Sequence, residues 1–249
     1  WMARLGYATN DEGDAVGSYE CGAAIITPLY VITAAHCSAE HVKLPLLEVR
    51  VGEHNTETDP DCVDTACAPP VQDIRVQDHI CHLDYLGGEH FQHDICLLRL
   101  EEPITFNDFV QPICLPVFKK IIDHNFEGQY LEVAGWGRHN MGLDAMFGST
   151  LLLSVKVPVR SNFFCNEKHR GETEIFSTQM CAGGEPGKDS CSGDSGGPLM
   201  TPYTIGSSTR YFLVGIVSMG PKQCGADPKP GVYTAVTKYI KWILDNIYE

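Results

Sequence analysis

Ala23-Ala24-Ile25-Ile26-Thr27 and Tyr30-Val31-Ile32-Thr33 are two short runs of apolar and β-branched residues either side of Pro28-Leu29. Runs this short around a proline-containing turn read as neighbouring strands and not as a helix. Thr33 leads directly into Ala34-Ala35-His36-Cys37, so a histidine sits at the end of the second run. The strand signal recurs at Leu46 to Val51, Ile95 to Leu100, Leu151 to Val159 and Tyr211 to Ser218, with glycine, proline and aspartate clusters between them. Trp1 to Tyr7 reads as one more short strand. Only the C-terminus carries a helical stripe: Val236, Ile240, Ile243 and Ile247 fall at the spacing of one helix face. Many short strands and one terminal helix predict an all-β protein, its barrels closed by a helix packed on the outside. Gln111 to Pro116 is read as the crossover between two halves, residues 1–116 and 117–249.

The 249 residues, 43% of them hydrophobic, suffice for one large β domain or two small barrels sharing a cleft. A formal net charge of −14 argues against nucleic acid and against anionic membrane surfaces as partners. No apolar run is long enough to span a bilayer, and the first residues do not read as a signal peptide, so the chain is expected to be a processed or trimmed product. Its 11 cysteines are scattered and lack the paired knuckles of a zinc site, which favours disulfides and an oxidising, extracellular setting. An odd number leaves at least one thiol free or bonded to another chain. The acidic, proline-rich stretch Glu53 to Pro70 is too polar for a buried strand and reads as a surface loop in which Cys62 and Cys67 are close enough to bond. No Asn-x-Ser/Thr acceptor for N-glycosylation occurs.

Three segments carry chemistry. In Gly193-Asp194-Ser195-Gly196-Gly197-Pro198 the glycines allow the backbone to approach a carbonyl closely, and the amides of Gly193 and Ser195 are placed to face a developing oxyanion. A serine hydroxyl needs a base to become nucleophilic, and His36 offers one, its loop tethered if Cys37 bonds to Cys21. The imidazole needs an acceptor on its other nitrogen, and Asp94, at the mouth of the apolar run Ile95-Cys96-Leu97-Leu98, offers that. Each has a bland alternative: a glycine-rich turn, a surface histidine, a strand-start aspartate. The three together, in the order His, Asp, Ser, do not.

These segments, with Asp189 to Pro198, resemble the signature segments of the trypsin–chymotrypsin serine proteases, and the resemblance runs from Trp1 to the terminal helix. The chain order separates them from subtilisins and α/β-hydrolases. The resemblance implies two six-stranded antiparallel Greek-key barrels with a C-terminal α-helix. It also implies that Ser195 attacks the scissile carbonyl, that His36 shuttles the proton, that Asp94 fixes the histidine's tautomer and that Ser218 hydrogen-bonds Asp94. Activity then requires neutral His36 and falls with acidification. Asp189 matches the carboxylate at the base of a pocket for arginine or lysine, with Ser218, Gly220 and Gly231 along its wall. Met219 stands where the family usually has tryptophan, which bears on subsites beyond the first.

Family pairing carries over to Cys21–Cys37, Cys165–Cys181 and Cys191–Cys224. Cys81 and Cys96 are left to pair or to remain buried thiols. Gln111 to Pro116, the stapled loop around Cys62 and Cys67, and His93 to Glu102 resemble the clip-domain proteases of arthropods, where the counterpart of Cys114 holds a light chain. That resemblance implies a secreted zymogen of an immune or developmental cascade, acting on other zymogens and restrained by a serpin-type inhibitor. The alternative is a catalytically silent clip-type homologue that acts as a binding cofactor. Catalysis requires no cofactor, but Glu53, Asn55, Thr58 and Asp61 are candidate ligands for a structural calcium ion. The family's Ile-Val-Gly-Gly segment, whose freed amine pairs with the counterpart of Asp194, does not occur before Trp1.

Overall fold

The apolar runs all form strands, since their residues fit a pleated, half-buried surface. The computed structural model describes residues 1–10, 15–38, 44–64, 66–88, 91–139, 148–221, 223–225 and 228–248. The first half supplies β1 (Met2–Ala8), β2 (Val16–Ile25), β3 (Tyr30–Thr33), β4 (Leu46–Val51), the two-residue pair β5 (Cys62–Val63) and β6 (Ala66–Cys67), β7 (Gln72–Cys81) and β8 (Cys96–Leu100). Six of them close into a barrel in the order β1-β2-β3-β8-β7-β4. After the short helix α1 (Lys119–Ile122) come β9 (Tyr130–Gly135), β10 (Leu153–Arg160), α2 (Asn162–Lys168), β11 (Gln179–Gly183), β12 (Pro198–Ile205), β13 (Ser208–Met219), β14 (Pro230–Ala235) and α3 (Ile240–Asn246). Their strands close in the order β10-β11-β14-β13-β12-β9. All pairings are antiparallel, and in each barrel the fourth strand returns beside the first (β4 on β1, β12 on β9), which is the Greek-key arrangement.

Leu5, Ile25, Ile32, Val49, Leu97 and Leu98 fill the first barrel with no exposed surface. Leu131, Val157, Leu199, Phe212 and Tyr233 fill the second. Met200, Leu213 and Ile216 of the second barrel join the core of the first, so the two meet along an apolar seam. The crossover is stitched to both sides. Ile113 N–H donates to the Ile25 carbonyl, and Cys114 exchanges hydrogen bonds with Tyr211 and Leu213 of β13.

Two details differ from the sequence expectation. Val236 lies in a separate 3-10 turn, Val236–Lys238, and Ile247 is already extended, so the helix proper is shorter than the apolar stripe. The stripe still buries as expected: Val236, Ile240 and Ile243 pack against the first barrel. The stretch 53–70 is exposed but not wholly irregular, because β5 and β6 pair within it.

Candidate active site

β3 ends at Thr33, whose hydroxyl donates to the Gly22 carbonyl at 2.8 Å, and a 3-10 turn at Ala35–Cys37 follows at once. Ala34 and Ala35 are buried, which leaves His36 facing the seam between barrels. There its backbone N–H donates to Asp94 Oδ1 at 2.9 Å, and its Nδ1 lies 2.7 Å from Asp94 Oδ2. Ser218, at the end of β13, donates its hydroxyl to the same Oδ2 at 2.6 Å, and Thr234 donates to the Asp94 carbonyl at 2.7 Å. Asp94 is fully buried. A carboxylate removed from water is tolerated only when its lone pairs are met, and here three donors from both barrels meet them. Ser218 was expected along the specificity pocket as well as on Asp94; its hydroxyl is committed to Asp94.

The Ser195 turn is seated on the β2–β3 hairpin. Gly22 N–H donates to the Ser195 carbonyl at 2.7 Å, and Gly196 N–H donates to Val217, next to Ser218. Gly196 has φ +78, and a Cβ there would fall 2.1 Å from Thr33 Oγ1, so both the left-handed backbone and the contact require glycine. The turn thus joins the strand ends that carry His36 and Ser218. No hydrogen bond joins Ser195 Oγ to His36, a bond that in such sites commonly tightens only with substrate. Gly193 has φ +98 and packs on Gly137, where a Cβ would come within 3.0 Å of Gly137 Cα.

Asp194 turns the other way. Its carboxylate accepts the Gly137 N–H and the Cys191 N–H, both at 2.8 Å. Burial pushes its pKa up, against the pull of those two bonds, and no cation pairs with it among the described residues. Cβ atoms on Gly135 or Gly137 would fall 2.1 and 2.6 Å from its Oδ1. The sequence reading missed this Gly-Trp-Gly cradle, although two glycines bracketing a tryptophan were a usable signal.

Asp189 Oδ2 accepts the Gly225 N–H at 3.3 Å. Cβ atoms on Gly183 and Gly231 would each lie 3.4 Å from Asp189 Oδ1, and one on Gly220 would lie 3.8 Å from Gly231 Cα. Side chains at these glycines would fill the space over the carboxylate. Tyr233 lies beneath, its hydroxyl 3.0 Å from Ser190 Oγ and its pKa pushed up by burial and then by the Asp189 charge. Met219 packs against Cys165, Ile175, Cys181 and Val232.

Cysteines pair as Cys21–Cys37, Cys62–Cys67, Cys165–Cys181, Cys191–Cys224 and Cys81–Cys96, and Cys114 is a partly buried free thiol. Cys21–Cys37 fixes the turn that carries His36, and Cys191–Cys224 joins the Ser195 segment to the pocket wall.

The loop expected to hold calcium brings Glu53, Asn55, Thr58 and Asp61 to one place. Asp61 Oδ2 accepts the N–H groups of His54 and Asn55 at 2.8 and 2.9 Å, and Oδ1 accepts the Thr58 hydroxyl. Asn55 Oδ1 accepts from Glu57, and its carbonyl accepts from Thr58. Glu53 Oε1 is buried without a hydrogen-bond partner, but Glu53 Oε2 lies 3.6 Å from Arg50. Glu53 Oε1 is thus an unpartnered buried oxygen close enough to the Asp61 carboxylate to feel its charge, the kind of atom a cation would satisfy. If Glu53, Asn55, Thr58 and Asp61 hold a calcium ion, added calcium should raise the melting temperature and a chelator lower it, and a melting temperature indifferent to both would overturn the site. Calorimetry in both buffers checks this.

The trypsin family model matches residues 1–243, and the chain belongs to that family of serine endopeptidases. Among its relatives are insect proteases of the CLIP-domain group. It is 43% identical over 99% of its length to the CLIP domain-containing serine protease HP8 of Bombyx mori and 42% identical over 99% to the serine protease ea of Drosophila melanogaster. It spans 66% and 64% of those two proteins. The crystal structure of the Drosophila Grass clip serine protease of the Toll pathway superposes with a TM-score of 0.83 at 35% identity, covering 98% of this chain and 68% of that one.

Proposed function

We propose that this chain is the catalytic part of a secreted endopeptidase that cuts after arginine or lysine, is made as a zymogen, and activates other zymogens in an extracellular cascade. The observation that carries the chemistry is the fully buried Asp94, whose carboxylate takes two hydrogen bonds from His36 and one from Ser218. With Nδ1–H held by that carboxylate, His36 presents Nε2 as the base. Nε2 takes the Ser195 proton as Oγ attacks the carbonyl, then delivers it to the leaving amine. The resulting acyl-enzyme is opened by water through the same base. Gly193 and Ser195 amides serve the oxyanion. Asp189, under its three glycines, receives the guanidinium or ammonium of the residue before the cut bond.

Activation is assigned to Asp194. A cavity of about 280 Å³ holds both Asp194 and Asp189, and a groove of about 860 Å³ runs past Trp1. They share Ala134, Leu153 and Ser154 along their walls, which supports a route for a preceding segment from Trp1 toward Asp194. A freed α-amine there would neutralise a carboxylate that now has only backbone donors. Cys114 is assigned to a disulfide with an upstream light chain, and a serpin-type protein is the expected inhibitor. Spaetzle-processing enzyme of Drosophila melanogaster, 38% identical over 92% of this chain, is a relative whose name states such a processing role.

The test is to express the chain with its native N-terminal extension, cleave upstream of Trp1 and assay arginyl and phenylalanyl esters. Arginine-selective hydrolysis should appear only after cleavage. In Asp194→Asn it should stay down by about 10²–10³-fold, the cost of leaving one half of a buried ion pair without the other. No turnover after verified cleavage would favour the silent binding cofactor instead.

A further inference from the structure

Asp94 occupies the apex of a tight turn. The Ile95 N–H donates to the His93 carbonyl at 2.8 Å, and His93 is left-handed with φ +57. A non-glycine residue adopts that conformation only where its surroundings compel it. Here the imidazole is gripped on two sides. Its face stacks on His82 with ring centres 4.7 Å apart and planes 14° from parallel, and its Nδ1 lies 3.0 Å from the hydroxyl of Tyr239, just before α3. His82 is fixed in turn: its backbone N–H donates to the Ile95 carbonyl, and Trp242 of α3 packs 5.4 Å away. Cys81, beside His82, is bonded to Cys96, two residues after Asp94.

We propose that His82 and His93 are a positioning pair for Asp94, held by Tyr239, and that they must both be uncharged to do it. This deepens the reading of His36, Asp94 and Ser195 as the catalytic set and rests on it.

The electrostatics follow from what faces the rings. His82 Nδ1 accepts the backbone N–H of Asp84 at 3.3 Å, so a proton on that nitrogen would set donor against donor. Two charged rings 4.7 Å apart would repel with no water between them to screen the repulsion, so the stack resists taking up charge. The Asp84 carboxylate is 3.9 Å from His82 Nδ1 but mostly exposed, and Asp94 already serves three side-chain and backbone donors. From α3's side the facing groups are the Tyr239 hydroxyl, pushed up to about 12 chiefly by burial, and uncharged Trp242. Tyr85, near Asp94, is also pushed up by burial and stays a neutral phenol. Burial, then the His93 ring, lowers the pKa of His82, while Asp84 opposes. The sign follows: the stack's contribution is complete above the ordinary histidine range and is lost as pH falls through the lowered value.

The experiment compares the activated protease with His82→Phe and Tyr239→Phe by the pH dependence of kcat/KM on an arginyl anilide. The low-field proton resonance of the His36–Asp94 hydrogen bond is recorded alongside. On the acid limb His82→Phe should fall about 10-fold per pH unit and the wild type more steeply, approaching about 100-fold, since loss of the stack adds to loss of the general base. Tyr239→Phe should lower kcat with KM little changed and shift the low-field resonance at pH 8. Superimposable acid limbs together with an unmoved resonance would overturn the proposal. Absence of hydrolysis by the cleaved wild type would count against the catalytic reading instead, and the resonance still reports on the positioning.

Discussion

Replacing Ser195 by alanine is expected to lower kcat on arginyl esters by roughly 10⁶-fold while leaving fold and melting temperature intact, as found where nucleophile and base act as one unit. The size follows from the division of labour at the site. Asp94 and His36 exist to make one hydroxyl nucleophilic; with it gone, a water must be activated by a base placed for another atom. The double variant with His36→Ala should be scarcely slower than either single one, because neither residue acts without the other. Titration with an acylating inhibitor checks the same point: wild type should be labelled stoichiometrically and Ser195→Ala not at all. Labelling that survives in Ser195→Ala would place the nucleophile elsewhere.

The second large effect concerns the choice of substrate. Asp189→Ser is expected to cut kcat/KM for arginyl substrates by about 10⁴-fold, the penalty typical of a pocket that loses its polar match to the ligand. The loss should fall on both kcat and KM, because the guanidinium anchors the scissile bond as well as binding. Phenylalanyl substrates should change little, so that the selectivity ratio collapses. If arginine preference survives, the carboxylate that selects it is another one, and the three glycines around Asp189 need a different explanation.

Much of the fold was readable because the apolar runs are unambiguous. Leu97, Leu98 and Leu100 are buried within β8, and so strongly apolar a segment has few alternatives. β7 escaped notice because it is amphipathic at the surface. Its inward residues, Ile74 and Val76, alternate with Asp73, Arg75 and Gln77, a period of two that was present but carried by only two apolar side chains. The helix stripe was legible although the element is interrupted, since a 3-10 turn and a helical turn can present the same side. At the site, residues that touch the reacting groups were identified from short motifs. Those acting through shape were not. Gly135 and Gly137 matter because Asp194 lies on them, and Thr234 because its hydroxyl meets the Asp94 backbone across a separation of 140 positions. Such meetings depend on closure of both barrels, which no local pattern encodes.

The last helix belongs by sequence to the second half, yet Ile240 and Ile243 pack against the first. A ribosome emitting this chain finishes the His36 half long before it supplies the plug for it. The packing of the His36 half is therefore complete only once residues 240–243 have been made, and a chain cut short before them would leave apolar surface of the first barrel open to water.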